Sequence, residues 1–354
     1  KQLAFMIGCC NNGPADISRS IPDIEKEYNK VKQFWKEKLS VIKVNTPDTS
    51  FNFIMNSWLL YQTYTARLLA RSGFYQVGGA FGFRDQLQDV MSVMYCDPLI
   101  ARNQILKHAS HQFPEGDVLH WWHEENKFGT RTTFSDDYLW LVFVSYEYIK
   151  MTADYTILDE LVPFVQGDKL NENETEKGIR FYYTLEKESL YYHLKICIQK
   201  ALNQFGQHGL PLMGCGDWND GMNKVGFKGK GESVWVGFFL LDILPKMIDL
   251  AAQKHDDALM DICQKTIPEL KQALIKNAWD GEWFLRAYFD NGDTLGSRNN
   301  AECQIDLLSQ SWSILTDVAD NDRKKSIIRE TENRLVDIEN KIIKLLTPAF
   351  KNSK

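Results

Sequence analysis

Residues 234–250 read VWVGFFLLDILPKMIDL, and a helix of that composition leaves no side suited to water. Two other stretches share the property, FNFIMNSWLLYQTYTARLLAR at 51–71 and DYLWLVFVSYEYIKM at 137–151. Helices that are apolar all round lie buried between other elements. Residues 98–111, 186–204, 256–277 and 321–346 are one-sided instead. In the last of these Ile328, Leu335, Ile338, Ile342 and Leu345 recur at helical spacing with Lys, Glu and Asp between them. Buried helices alternating with one-sided ones predict two concentric layers, of which an all-α (α/α) toroid is the natural closed form. A stacked helical repeat is the alternative, but no self-similar period of about 34 or 40 residues is present. The connecting loops are long and rich in Gly and Trp, and loops of that kind tend to carry function.

The rest of the chain fits a large soluble core. It has 354 residues, 44% of them hydrophobic, with ten Trp, 14 Tyr and 20 Phe. That is enough aromatic surface to fill an interior and to leave ring faces over for the C–H faces of sugars. The net charge of −6 argues against nucleic acid, which is bound through clustered Lys and Arg. No run of 18 apolar residues suggests a membrane span, and no leader with a small-residue cleavage site opens the chain. Seven Cys without a CxxC pair predict reduced thiols and a cytoplasmic protein. Lys1 to Cys10 reads as a short strand, closed by Asn11-Asn12-Gly13-Pro14. Residues 18–38 read as a charged amphipathic helix.

Four stretches could carry chemistry. Gly214-Cys215-Gly216-Asp217-Trp218-Asn219-Asp220-Gly221-Met222-Asn223 sets two carboxylates around an indole, between glycines that let the backbone come close to a ligand. A carboxyl against an indole can be kept protonated by desolvation, as a general acid requires. The alternative is an Asx-rich turn. Gly78 to Asp89 (GGAFGFRDQLQD) offers Asp85 as a helix cap and Arg84 as a planar fork for a carboxylate or phosphate; a structural Arg–Asp pair is the alternative. His120-Trp121-Trp122-His123 invites a zinc reading, but no third ligand stands at a recognisable spacing, so no metal is expected. A sugar-stacking wall of Trp121, Trp122 and His123 is the better reading, with packing inside a loop as its rival. Last, Asn277 to Tyr288 reads as a helix end, an Asp-Gly turn and a short strand. Gln310-Ser311-Trp312 follows at the start of a buried helix and is expected to line the same mouth. No Ser-His-Asp order, phosphate loop or dinucleotide fingerprint is present, which favours sugar chemistry run by carboxylates.

Together, GFRDQLQD, GDVLHWWH, RTTFSDDYLWL, HGLPLMGCGDWNDGMN and GKGESVW resemble glycoside hydrolase family 94, the cellobiose and chitobiose phosphorylases. The resemblance runs through almost the whole chain. It is narrower towards the β-1,2-glucan branch, which includes 1,2-β-oligoglucan phosphorylase and the C-terminal region of cyclic β-1,2-glucan synthase. It implies an (α/α)6 barrel over 46–354, incomplete at its C-terminus. Residues 11–45 would be linker helix and 1–10 the last strand of a truncated β-sandwich. It implies Asp220 as general acid, Asp85 and Trp218 in the donor-sugar subsite, and Arg84 as a phosphate ligand. Further phosphate contacts would lie beyond Lys354, so the chain as given is expected to be inactive alone. The implied partners are a glucan and inorganic phosphate, without a cofactor, in a parent that is a homodimer. The disaccharide phosphorylases carry an Arg shortly before the FRD triplet, where this chain has Gly78-Gly79-Ala80. A β-1,2-linked chain is therefore expected rather than cellobiose.

An inverting hydrolase needs an acid and a base about 6.5–9.5 Å apart. A phosphorylase needs only the acid, because phosphate is already an anion. A hydrolase on the same barrel would have to draw its base from Asp217, Glu232 or Glu302. A third possibility is a glucan-binding, chain-length-setting domain within a larger synthase.

Overall fold

Helices dominate the computed structural model, which describes residues 23–69 and 79–352. α1 (Ile24–Leu39) is capped by Asp23, whose carboxylate accepts from the amides of Glu25 and Lys26. A helical stretch over residues 49–69 follows, in which α2 (Thr49–Phe53) and α3 (Leu59–Gln62) each run into wider π-type turns. The series continues with α4 (Phe83–Met91), α5 (Pro98–Ala109), α6 (Asp137–Thr152), α7 (Leu190–Leu202), α8 (Val234–Gln253), α9 (Asp257–Asn277), α10 (Leu307–Leu315) and α11 (Asn321–Leu335).

The helices alternate between two layers. α4, α6, α8 and α10 touch one another in succession, while α5 and α7 cover α6, α9 covers α8 and α11 covers α10. The inner helices earn that place by composition. Leu139, Leu141, Val142 and Val144 of α6 and Phe238, Phe239, Leu240, Ile243 and Leu244 of α8 are fully buried. Each such side chain contributes roughly 1.5–3 kcal/mol relative to exposure.

Short sheets interrupt the helices, so the chain is helix-rich but not all-α. β1 (Phe81–Gly82), β2 (Leu119–His123) and β3 (Phe128–Thr132) pair antiparallel in that order. β4 (Leu161–Gln166) pairs elsewhere, and β5 (Glu176–Arg180) joins β3. β6 (Tyr182–Ser189) is the partner of β4. β7 (Glu232–Ser233), β8 (Ala287–Tyr288) and β9 (Thr294–Leu295) form a three-stranded sheet. β10 (Ile305–Asp306) pairs with a late strand at Leu346–Thr347, and β11 (Val336–Asp337) makes a hairpin with β12 (Ile342–Ile343).

Several expectations need correction. The helix expected over 321–346 ends at Leu335. The Asp337 carboxylate then accepts from the Asn340 amide, Lys341 takes φ 55°, and the chain reverses into the β11–β12 hairpin. Ile338, Ile342 and Leu345 are exposed there and form no helical stripe. The stretch at 49–69 is helical but not enclosed: only Leu60 and Tyr64 are buried, while Phe53 is 66% exposed. Residues 186–189 belong to β6, not to the helix after them. The expected strand at 1–10 lies outside the described residues. Among the described residues no helix is long and apolar enough to cross a membrane.

Candidate active site

The loop after Met213 is shaped by what lies against it. Gly214 takes φ 64°, and a Cβ there would stand 1.9 Å from the Thr133 carbonyl oxygen, so only glycine fits. The Cys215 amide donates to Thr133 Oγ1 at 3.0 Å, and the Ser135 amide to the Gly216 carbonyl at 3.1 Å. These bonds join the loop to the strap 133–136 that leads into α6. Two Asx turns then carry the chain to a 3-10 turn at Asp220–Met222: the Asn219 amide donates to Asp217 Oδ1, and the Gly221 amide to Asn219 Oδ1. The Asx-turn reading therefore holds, and the same turns present the side chains that could act.

Arg84 is the hub. It stands in the first turn of α4, whose N-cap is Gly82 rather than Asp85; the Gly82 amide donates to Gln86 Oε1 at 2.7 Å. Arg84 Nη1 donates to Asp136 Oδ1 at 2.8 Å and to the Asp217 carbonyl at 2.9 Å, and Nη2 donates to Asp220 Oδ1. Its guanidinium carbon lies 5.1 Å from the centre of the Phe134 ring. Burial works against its charge, but Asp136, Asp137 and Asp220 outweigh that and hold it protonated. His120 stacks on the same Phe134 ring at 4.3 Å and donates from Nδ1 to Asp137 Oδ2 at 2.7 Å. Asp137 more than offsets the burial of His120 and raises its pKa. Burial pushes Asp136 up to about 7, against the pull of Arg84, and raises Asp85 likewise.

The two carboxylates of the DWND run have opposite surroundings. Asp217 is fully buried. Arg286 donates to it twice, at 2.6 and 2.7 Å, and Ser233 Oγ donates at 2.7 Å. Burial alone would raise its pKa, but Arg286 and Ser233 hold it below the ordinary value. The Asp220 side chain is 68% exposed. Trp218 is 41% exposed and donates from Nε1 to Gln88 Oε1 at 3.3 Å. Beside the turn a cleft of about 970 Å³ opens, lined among others by Met222, Phe289, Asn300, Glu302 and Phe350.

Arg84, Trp218 and Asp220 are thus brought together, with Asp85 next to Arg84 on α4. The HWWH run divides. It lies on β2, not in a polar loop, and a bulge between Leu119 and Trp121 breaks the strand's alternation. Trp122 is fully buried, stacked 4.0 Å from His111 and 5.3 Å from Phe81, so it offers no face to a sugar. Trp121 and His123 are half-buried and meet edge to face at 5.7 Å. Gln310 is also buried: it accepts from the Phe284 amide and donates to the Phe284 and Asp306 carbonyls, a backbone clamp rather than a mouth residue. Among the described residues no cluster of His, Cys, Asp and Glu suits a metal.

Phe134 and Ser233 surround the site without having been singled out for it; Asp136 and Asp137, which follow the Trp pair in sequence, and Arg286, within the 277–288 stretch, join them. Arg286 did leave a signal, because an arginine inside the apolar run Trp283-Phe284-Leu285-Arg286-Ala287-Tyr288 needs a buried partner.

Residues 34–354 match the family model described as the glycosyl hydrolase 94 superfamily, catalytic domain. The chain is 38% identical over its whole length to the cyclic beta-(1,2)-glucan synthase NdvB of Rhizobium meliloti, covering 13% of that protein. It is 30% identical to the solabiose phosphorylase of Paenibacillus borealis, with 83% of this chain and 35% of the relative aligned. With the N,N'-diacetylchitobiose phosphorylase of Vibrio proteolyticus the identity is 25%, over 90% of this chain and 41% of that one. The chain therefore spans well under half the length of these relatives. In fold it resembles a family 78 rhamnosidase of Bacillus sp. GL1, with a TM-score of 0.52 and 13% identity over 76% of this chain and 24% of that one.

Proposed function

Because the chain belongs to the glycosyl hydrolase 94 superfamily, we propose that it forms the catalytic part of an inverting phosphorylase of β-linked glucans, built on an (α/α)6 barrel. Asp220 gives its proton to the glycosidic oxygen. Phosphate attacks the anomeric carbon from the opposite face, and α-glucose 1-phosphate leaves. Trp218 supplies a ring face to the donor sugar and Asp85 takes its hydroxyls. The cleft beside the turn has room for further sugar units, which favours an oligosaccharide over a disaccharide. The β-1,2 linkage is supported by the identity to a cyclic β-1,2-glucan synthase.

One observation carries the choice of phosphate over water. The three carboxylates that could serve a hydrolase as base are engaged elsewhere. Asp217 is locked by Arg286. Glu232 is buried and accepts from His208 Nδ1 and from the His208 and Leu210 amides. Glu302 accepts from the amides of Lys351 and Asn352. An anionic nucleophile needs none of them.

Arg84, the proposed phosphate ligand, has its fork filled by Asp136 and Asp220. Phosphate therefore reaches Nη2 by exchanging with the exposed Asp220 carboxylate, which, once released from Arg84, takes up a proton from solvent and turns as the carboxylic acid towards the glycosidic oxygen. Burial raises Asp136 to about 7, so the carboxylate nearest Arg84 Nη1 lessens the negative charge that phosphate meets.

The test is phosphorus NMR of the full-length protein with β-1,2-glucooligosaccharides and inorganic phosphate. Appearance of α-glucose 1-phosphate is expected; release of free glucose without it would favour the hydrolase. The match of this whole chain to 13% of the glucan synthase supports a second reading, a glucan-binding domain that sets chain length. Glucan binding with neither product would favour that one.

A further inference from the structure

We propose that Arg286 is a positioning residue for the proton transfer, acting through Asp217 to fix where Asp220 is presented. The inference rests on Asp220 as the acid.

Arg286 is held before it holds anything. Its amide donates to the Leu295 carbonyl at 2.7 Å and its carbonyl accepts from the Val234 amide at 3.2 Å, so the backbone is pinned between two neighbouring segments. Gly296, at φ 84°, permits that closeness; a Cβ there would stand 2.4 Å from the Arg286 nitrogen. The side chain, with no exposed surface, reaches under the 214–223 loop and forks the Asp217 carboxylate. Two parallel charged hydrogen bonds fix orientation as well as distance, which a single bond does not. Ser233, from the cap of α8, adds a third donor to the same carboxylate.

Asp217 is thereby fixed at both ends, since its carbonyl accepts from Arg84. Asp220 follows three residues later on one short turn, and its exposed side chain has Arg84 as its hydrogen-bond partner. Arrival of phosphate at Arg84 removes that tie, and what remains to locate the acid is the Asp217 anchor. Misplacement by about 1 Å can cost on the order of 10²-fold in rate.

The test compares wild type with Arg286→Lys and Ser233→Ala in the full-length protein, on two substrates. One is β-1,2-glucooligosaccharide, whose leaving oxygen needs a proton. The other is an aryl β-glucoside whose phenolate leaves without one. In Arg286→Lys, kcat on the glucan is expected to fall about 10²-fold with KM unchanged, while the aryl glucoside loses less than about fivefold. Ser233→Ala should show the same pattern more weakly. Equal losses on both substrates, or no loss on either, would overturn the positioning role and leave the phosphorylase reading intact. A wild-type protein that phosphorolyses neither substrate would remove that reading, and the role with it. Hydrogen exchange gives a readout apart from turnover. Amides of 216–222 should exchange faster in Arg286→Lys while those of α6 and α8 do not; unchanged exchange in the loop counts against the proposal.

Discussion

Arg286 and Asp217 form a two-pronged ion pair in which neither side chain has exposed surface, Nη2 standing 2.6 Å from Oδ1 and Nη1 2.7 Å from Oδ2. Behind them Arg286 Nε and Asp306 Oδ2 stand 3.6 Å apart, and neither atom has a hydrogen-bond partner. The pair has no water to fall back on if one member is lost.

Asp217→Asn should therefore destabilise the fold by about 3–5 kcal/mol, because it removes the two-pronged partner of a buried charge and leaves only Asp306, 3.6 Å from Nε and not hydrogen-bonded to it, to balance Arg286. Asp220→Asn removes an ion pair to Arg84 at a carboxylate that is 68% exposed, while Asp136 still balances Arg84, and should cost no more than about 1 kcal/mol. Urea unfolding of both variants reads the contrast. Equal stabilities would mean that the buried pair contributes nothing net.

The same Asp220→Asn variant keeps the side chain's shape but has no proton to give. Turnover on β-1,2-glucan should fall by about 10²–10⁴-fold while glucan affinity is retained. Near-wild-type phosphorolysis would remove Asp220 from the role.

Acid should weaken the fold through buried histidines. Burial lowers His108 to about 3 and His193 to about 4. Below pH 6.5 the unfolded chain takes up protons that the folded one refuses, so this stability is complete above 6.5 and is lost as pH falls towards the folded values. Asp136 works the other way, since its raised pKa favours the fold at low pH and loses that contribution as pH rises from about 4 to about 7. The histidine part can be isolated with His193→Gln. Between pH 7.5 and 5 the wild type should lose about 2 kcal/mol more than this variant. Parallel pH profiles would show that His193 is not buried neutral.

Linkage preference tests the meaning of Gly78-Gly79-Ala80. Sophoro-oligosaccharides should be far better substrates than cellobiose or laminaribiose. Equal rates on cellobiose would sink the β-1,2 assignment and leave the mechanism standing.

The helices most legible in the sequence were those buried on every side. α6 and α8 have no polar face to misread, and both emerge within three residues of their expected ends. Residues 49–69 look the same by composition, yet apolarity reports a need for neighbours and not their presence, and Phe53 and Leu69 stand exposed. Past Leu335 helical spacing persisted by coincidence, and an Asp-Asn turn two residues on outweighed it. In the site, Arg84, Trp218 and Asp220 could be picked out because Arg-Asp and Asp-Trp-Asn-Asp juxtapositions are local. Asp136 and Arg286 join them from 52 and 69 residues away from their respective partners, a separation no motif expresses. Trp122 looked like a ligand surface because the bulge that turns it inwards has no signature in the letters.

The strap at 133–136, bonded edge to edge with the loop at 214–217, decides how much motion the chemistry has to organise. It leads directly into α6, so the backbone beneath Asp220 shares the rigidity of an inner helix. Between that framework and the reacting proton only the turn at 220–222 and two side-chain torsions of Asp220 are left free. Most of the entropy that proton delivery would otherwise lose at each turnover has been lost once, during folding. The remaining search is that of a short rotor, which crosses its barriers within nanoseconds.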